Sequence, residues 1–195
     1  MKYFYDTEFI EDGHTIDLIS IGMVAEDGRS YYAISKAFNP KKASAWVRAN
    51  VLARLPPQYV NFSDVSVSPR LKEESRAWKY RRNIKEDLLR FVGDDPNPEF
   101  WAYYADYDHV ALCQLFGTMM QLPKGWPMYT RDIKQLADSL GNPKLPKQEE
   151  NEHHALADAK WNKAAFEFLQ SLPTTALQAS AGVERGEMEI DHADR

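Results

Sequence analysis

The chain has 195 residues, 44% of them hydrophobic and 12% aromatic, which is enough to bury one substantial core and favours a single domain. A net charge of −5 at pH 7 argues against a protein that coats nucleic acid through a broad basic surface, though a local basic groove stays open. The single cysteine, Cys113, rules out an internal disulfide framework and a cysteine-rich zinc site, and in VALCQLF it reads as a small buried hydrophobe. No uncharged apolar run reaches membrane-spanning length, and Lys2 is followed at once by a strand-like pattern, so the reading is a soluble, cytoplasmic protein with no membrane contact.

Residues 3–9, YFYDTEF, read as a strand and 16–25, IDLISIGMVA, as a longer one. Glu26-Asp27-Gly28 then turns the chain into a third strand at 30–34, because Asp-Gly between apolar runs signals a hairpin. Three antiparallel strands therefore open the fold. Residues 43–53 are helical in character and stop before Pro56-Pro57, and the spacing of Trp78, Ile84, Leu88, Leu89 and Phe91 predicts a helix over about 72–92. A strand, FWAYYA, follows at 100–105. Helices are expected over 107–117 and 131–140, closed by Gly117 and Gly141. The loop NPKLPKQEENE precedes a last helix over about 153–169, with Leu156, Trp161, Ala164, Ala165 and Phe168 as its apolar positions. Beyond Pro173 periodicity and aromatics are lost, so 1–172 is read as the folded domain and 173–195 as a flexible tail. Strands first, then helices alternating with a strand, predict a mixed α/β domain with a central sheet between helices.

Three segments carry chemistry. Asp6 and Glu8 project from one face of the first strand and Tyr5, Thr7 and Phe9 from the other, and two adjacent carboxylates repel unless a cation lies between them. Alone, the pair also suits the solvated end of an edge strand. Asp108 stands at a helix start, where it can cap the helix or hold a metal. Asp158 lies on the last helix, preceded by His153 and His154, and histidine is the residue type suited to act as a general base near neutral pH. Helix geometry favours His154, since i and i+4 share a face; a histidine five residues upstream matches Asp158 only from the incoming loop.

Taken together, DTEF, AYYADYDHVAL and HHALADA resemble the three motifs of the histidine-containing branch of the DEDD exonuclease superfamily (DEDDh), whose fold is ribonuclease-H-like. In that branch the last motif runs His, four residues, Asp, which selects His153 with Asp158. The middle motif ends in an aromatic-Asp pair, matched by Tyr107-Asp108, while Tyr104 stands where many members carry asparagine. FYDTEFIEDGHTIDLISIGMVAEDGR, the stretch from Trp46 to Pro56 and YADYDHVALCQLFG further resemble the ribonuclease AS family of bacterial polyadenylate-specific 3′ to 5′ exoribonucleases, over most of 1–170.

This resemblance implies Asp6, Glu8, Asp108 and Asp158 as ligands of two Mg²⁺ ions, with Mn²⁺ able to substitute, and His153 as acceptor of the proton from the attacking water. It implies single-stranded RNA 3′ ends, adenylate-rich, as substrate, nucleoside 5′-monophosphates as product, and a homodimer. Phe9 and Ile10, next to the acids, are placed to pack on the terminal nucleotide. Arg76, Lys79, Arg81, Arg82 and Lys85 around Trp78 and Tyr80 suit phosphate contacts and stacking, with Trp78 and Arg81 the foremost candidates; the plainer reading is a solvated amphipathic helix with Trp78 in the core. A general oligoribonuclease, a proofreading-type DNA exonuclease and a binding module with a decayed site are the competing functions.

Overall fold

Alternation along β1 (Lys2–Glu11) sends Tyr3 and Tyr5 to one face of the sheet and Phe4 and Ile10 to the other, and all four are buried. A strand covered on both faces belongs in the middle of a sheet. The computed structural model, which describes residues 1–148 and 152–173, places β1 between the antiparallel β2 (Ile16–Ala25) and the parallel β5 (Glu99–Ala102). β3 (Ser30–Ser35) joins β2 through the expected hairpin, with Gly28 at φ 92. Two-residue strands complete the edges, β4 (Trp78–Lys79) beside β3 and β6 (Arg131–Asp132) beside β5, in the order β4-β3-β2-β1-β5-β6. The tail expected beyond residue 173 lies outside the described residues.

The helices are α1 (Ala45–Asn50), α2 (Pro69–Ser75), α3 (Arg81–Val92), α4 (Asp106–Gln114), α5 (Ile133–Ser139) and α6 (Ala155–Ser171). Ile84 and Leu88 of α3 and Ala111 and Leu112 of α4 pack with Tyr3, Tyr5 and Phe100. On the opposite face Ile133 and Ala137 of α5 and Ala165, Phe166 and Leu169 of α6 pack with Phe4 and Trp101. The result is the expected mixed sheet between helices. No helix among the described residues is long and apolar enough to cross a membrane.

Several boundaries depart from the periodicity. The helix expected over 72–92 is two helices with β4 between them, because the edge of β3 captures the intervening backbone: Ile34 N–H donates to Ala77 O at 2.7 Å and Lys36 N–H to Lys79 O at 2.8 Å. Trp78 therefore sits on a strand. The 43–53 helix ends at Asn50 and continues as a 3₁₀ turn at Leu52–Arg54. Arg131 and Asp132 pair with β5 before α5 begins, and Asp132 caps that helix by accepting from Lys134 N–H at 2.6 Å. Cys113 is only half-buried, with Sγ 3.5 Å from His109 Nε2 one turn back, and His109 is itself partly buried.

One close approach sets the geometry of the sheet's functional end. Gly22 of β2 pairs with Asp6 of β1, and a Cβ on Gly22 would overlap the backbone of Ala155 and Leu156 where α6 begins. Glycine is required there for contact with the helix, not for its φ. Gly22→Ala is expected to push α6 off the sheet and to cost about 1–3 kcal/mol of stability, read by urea denaturation; a midpoint equal to wild type would contradict this contact.

Candidate active site

On the α6 side of β1 the row runs Phe4, Asp6, Glu8, Ile10, so two acids interrupt an otherwise apolar stripe. β5 pairs with β1 only as far as Phe4. Past that point side chains take over the exposed backbone groups of β1: Asn162 Nδ2 of α6 donates to Tyr5 O at 2.8 Å, and Asp108 Oδ1 accepts from Thr7 N–H at 2.7 Å and Thr7 Oγ1 at 2.6 Å. Asp108 is thus buried with one oxygen committed to the strand. The pairing of β1 with β2 slips between Glu8 and Phe9, a bulge that bends the strand beside the acids, and both residues reach the same cavity.

That cavity, about 490 Å³, opens at the carboxyl ends of β1 and β5, and Asp6, Glu8, Asp108, His153 and Asp158 all line it. Carboxylate oxygens of Asp6, Glu8 and Asp158 lie within 4.8 Å of one another. Asp108 adjoins this trio without joining it. Asp158 reaches the acids from the first turn of α6, and Gln148 Nε2 donates to its Oδ1 at 2.6 Å. His153 is not helical: it sits in the turn ahead of α6 at φ 65, so a residue five positions before Asp158 faces the acids. His154 takes the N-cap position, its ring stacked on Tyr32 at 4.4 Å and outside the cavity.

Gathering these acids disturbs their protonation. Burial, then the charges of Asp108, Asp158 and Glu8, push the Asp6 carboxyl well above its ordinary range. Burial and the Asp158 and Asp108 carboxylates raise Glu8 to about 8, with Arg54 pulling the other way. Burial raises Asp108 to about 7 against the Thr7 hydrogen bonds, and burial also raises Asp158 against its bond from Gln148. The cluster therefore has an unmet demand for positive charge. Its donors are carboxylate oxygens with no thiolate, a set that fits Mg²⁺ or Mn²⁺.

Of the residues expected to meet substrate, Phe9 lines the cavity and stacks on Tyr107 at 5.8 Å. Tyr104, at φ 55 and 63% exposed, stands at the same cavity with Tyr107 and Trp161. Ile10 does not reach it; it is buried against Ile19, Ala43 and Val51. Trp78 lines a separate hollow of about 260 Å³, its Nε1–H donating to Pro56 O at 2.9 Å, and Arg81 pairs with Asp17 at 2.7 Å. The structure thus separates Ile10, Trp78 and Arg81 from the carboxylates. It also brings in Gly22, Asn162, Thr7 and Gln148, which sequence reasoning passed over. Two of these left a trace, a lone glycine inside an apolar strand and a lone asparagine on the otherwise apolar face of the last helix.

The raised carboxyls give a signed expectation. Glu8 titrates near 8 when folded against 4.5 ordinarily, so the folded protein keeps protons that the unfolded chain has released. Without divalent cations, melting temperature should fall as pH rises between those two values and level off above; Mg²⁺ should remove most of the fall, and Asp6→Asn should reduce it. Thermal melts with EDTA or Mg²⁺ check this, and a metal-free stability that rises over the same interval would contradict it.

Residues 1–170 match the family model described as the 3′-5′ exoribonuclease Rv2179c-like domain. The chain is 46% identical over 173 residues to 3′-5′ exoribonuclease Rv2179c of Mycobacterium tuberculosis strain ATCC 25618 / H37Rv, covering 88% of this chain and 94% of that one. The same figures hold for 3′-5′ exoribonuclease MT2234.1 of Mycobacterium tuberculosis strain CDC 1551 / Oshkosh. Among solved structures, E. coli exonuclease I in complex with a 5cy-dT13 oligonucleotide superposes with a TM-score of 0.51 at 10% identity, over 91% of this chain and 42% of its own, a likeness of ribonuclease-H-like fold alone. The match from residue 1 to 170, with 46% identity over 88% of the chain to two relatives named as 3′-5′ exoribonucleases, shows that this chain belongs to the Rv2179c-like 3′-5′ exoribonuclease family.

Proposed function

We propose that the chain is a divalent-metal-dependent 3′ to 5′ exoribonuclease of the cytoplasm that shortens single-stranded RNA and releases nucleoside 5′-monophosphates, with adenylate-rich tails as favoured substrate. The observation that carries this reading is the convergence of Asp6, Glu8 and Asp158 within 4.8 Å in a cavity shared with His153 and Asp108. Asp6, Glu8 and Asp158, with Asp108 beside them, are the residues to hold Mg²⁺ or Mn²⁺. Bound there, a pair of such ions would supply an activated water and stabilise the leaving 3′ oxygen.

The protein's own groups do the rest. His153, facing the acids from its turn, accepts the proton of the attacking water. Thr7 fixes Asp108 through two hydrogen bonds, and Gln148 fixes Asp158, so neither carboxylate swings away when the substrate phosphate approaches. Phe9, Tyr104, Tyr107 and Trp161 offer ring faces for unpaired bases, which stack irrespective of sequence. The adenylate preference and a homodimeric state rest on the resemblance of residues 4–29, the Trp46–Pro56 stretch and residues 104–117 to the ribonuclease AS family.

Incubation with Mg²⁺ and 5′-labelled oligo(A), mixed-sequence RNA or single-stranded DNA tests the proposal. The expected result is a ladder shortening from the 3′ end, fastest on oligo(A) and abolished by Asp6→Ala. Equal digestion of DNA would contradict the substrate assignment, and activity that survives Asp6→Ala would contradict the metal site. His153→Ala should slow hydrolysis by about 10²–10⁴-fold while His154→Ala stays near wild type; the reverse ranking would move the proton acceptor to His154.

A further inference from the structure

We propose that Trp46 and Arg54 are positioning residues for His153, holding the turn ahead of α6 in the conformation that presents the imidazole to the carboxylates. The inference rests on the reading of His153 as proton acceptor. At φ 65 the His153 backbone is left-handed, a conformation that a residue bearing a side chain keeps only where its surroundings hold it. Two contacts do so, both from one short stretch of chain. Arg54 Nη1 donates to the carbonyl of Glu152 at 2.6 Å, a charge-assisted bond that fixes the peptide plane entering His153. The Trp46 ring meets the His153 ring edge to face, with centroids 4.7 Å apart and planes at 79°.

The stretch that carries both is itself anchored. Between Trp46 on α1 and Arg54 at the end of the following 3₁₀ turn, Val51 is buried with Ile10, Ile19 and Ala43 against the far end of β1 and β2, and Leu52 packs on them. The same strand that carries Asp6 and Glu8 thus supports, through Ile10, the segment that braces His153. Trp46 is 53% exposed, so its indole fills no core, and its ring contact with the imidazole is what its position achieves. Ring and guanidinium act on different parts of the turn, one on the side chain and one on the backbone, so the loss of either frees the imidazole to leave the cavity.

The test uses Trp46→Ala, Trp46→Phe and Arg54→Ala in the full chain, each alone and combined with His153→Ala, assayed on oligo(A) with Mg²⁺. Both side chains are at the surface, so circular dichroism and melting temperature should match wild type. Trp46→Ala and Arg54→Ala are each expected to lower kcat by about tenfold or more with KM within about twofold, and Trp46→Phe to restore most of the loss. With His153 already removed, Trp46→Ala should not lower the residual rate further, because it acts through the imidazole, and Arg54→Ala should lower it by less than it does with His153 present, the remainder being its charge acting on Glu8. A raised KM at unchanged kcat, or an undiminished effect without His153, would overturn the proposal and assign the two side chains to RNA contact. A readout independent of activity is the Cε1 proton of His153 in NMR spectra of the magnesium-free protein, assigned by its disappearance in His153→Ala. Its ring-current displacement should vanish in Trp46→Ala; an unmoved signal would overturn the proposal even in a protein that degrades no RNA, and a preparation without nuclease activity but with the displaced signal would fail only the nuclease reading.

Discussion

Between Gly22 on β2 and the backbone of Ala155 and Leu156 there is no room for a side chain, and that contact fixes where α6 begins. Because Gly22 lies beside Asp6 in register, the first turn of α6 comes down over the acids of β1. Asp158, within that turn, and His153, just before it, arrive with it. Farther along, Asn162 ties the same helix to the backbone of Tyr5, and Ala165, Phe166 and Leu169 close the core against Phe4 and Trp101. Without this approach Asp6 and Glu8 would be a solvated row on a strand. With it they share a cavity with a third carboxylate, and burial together with mutual repulsion raises their proton affinities. The apolar packing of α6 holds like charges together, and a divalent cation held there would relieve what that packing leaves uncompensated.

Much of this was legible in the sequence, for reasons that differ by residue. Asp6 and Glu8 stand out because strand alternation puts both on one face of an apolar segment, and Asp108, His153 and Asp158 behind them complete the motifs by which the chain resembles the histidine-containing DEDD exonucleases. Helix periodicity points to His154, since it assumes that the helix already runs at that position, whereas α6 starts at Ala155 and the histidine that lines the cavity is His153. The sheet and its flanking helices were visible wherever an element spans several residues. β4 and β6, two residues each, are too short to carry any period and exist only because a neighbouring strand edge pairs with them. Trp78 was therefore placed on a helix that is not there.

The candidate substrate-facing residues were the least legible part. Phe9 and Ile10 are adjacent in sequence, yet one lines the cavity and the other is buried beneath the 43–51 segment, a difference that neighbouring residues on a strand impose by pointing opposite ways. Arg81 and Trp78 sit in a stretch rich in basic and aromatic residues, but Arg81 is taken by Asp17 and Trp78 by Pro56. Gly22, Asn162 and Thr7 act through partners more than a hundred residues away, and no local pattern announces such pairs.

The central claim is that the folded chain gathers Asp6, Glu8 and Asp158 into a cation site. Diffraction from crystals grown with Mn²⁺, collected where manganese scatters anomalously, tests it most directly. The account predicts an anomalous peak bonded to oxygens of Asp6, Glu8 and Asp158 that is lost in Asp6→Asn. A peak elsewhere with none at these carboxylates, or one that persists unchanged in that variant, would contradict it.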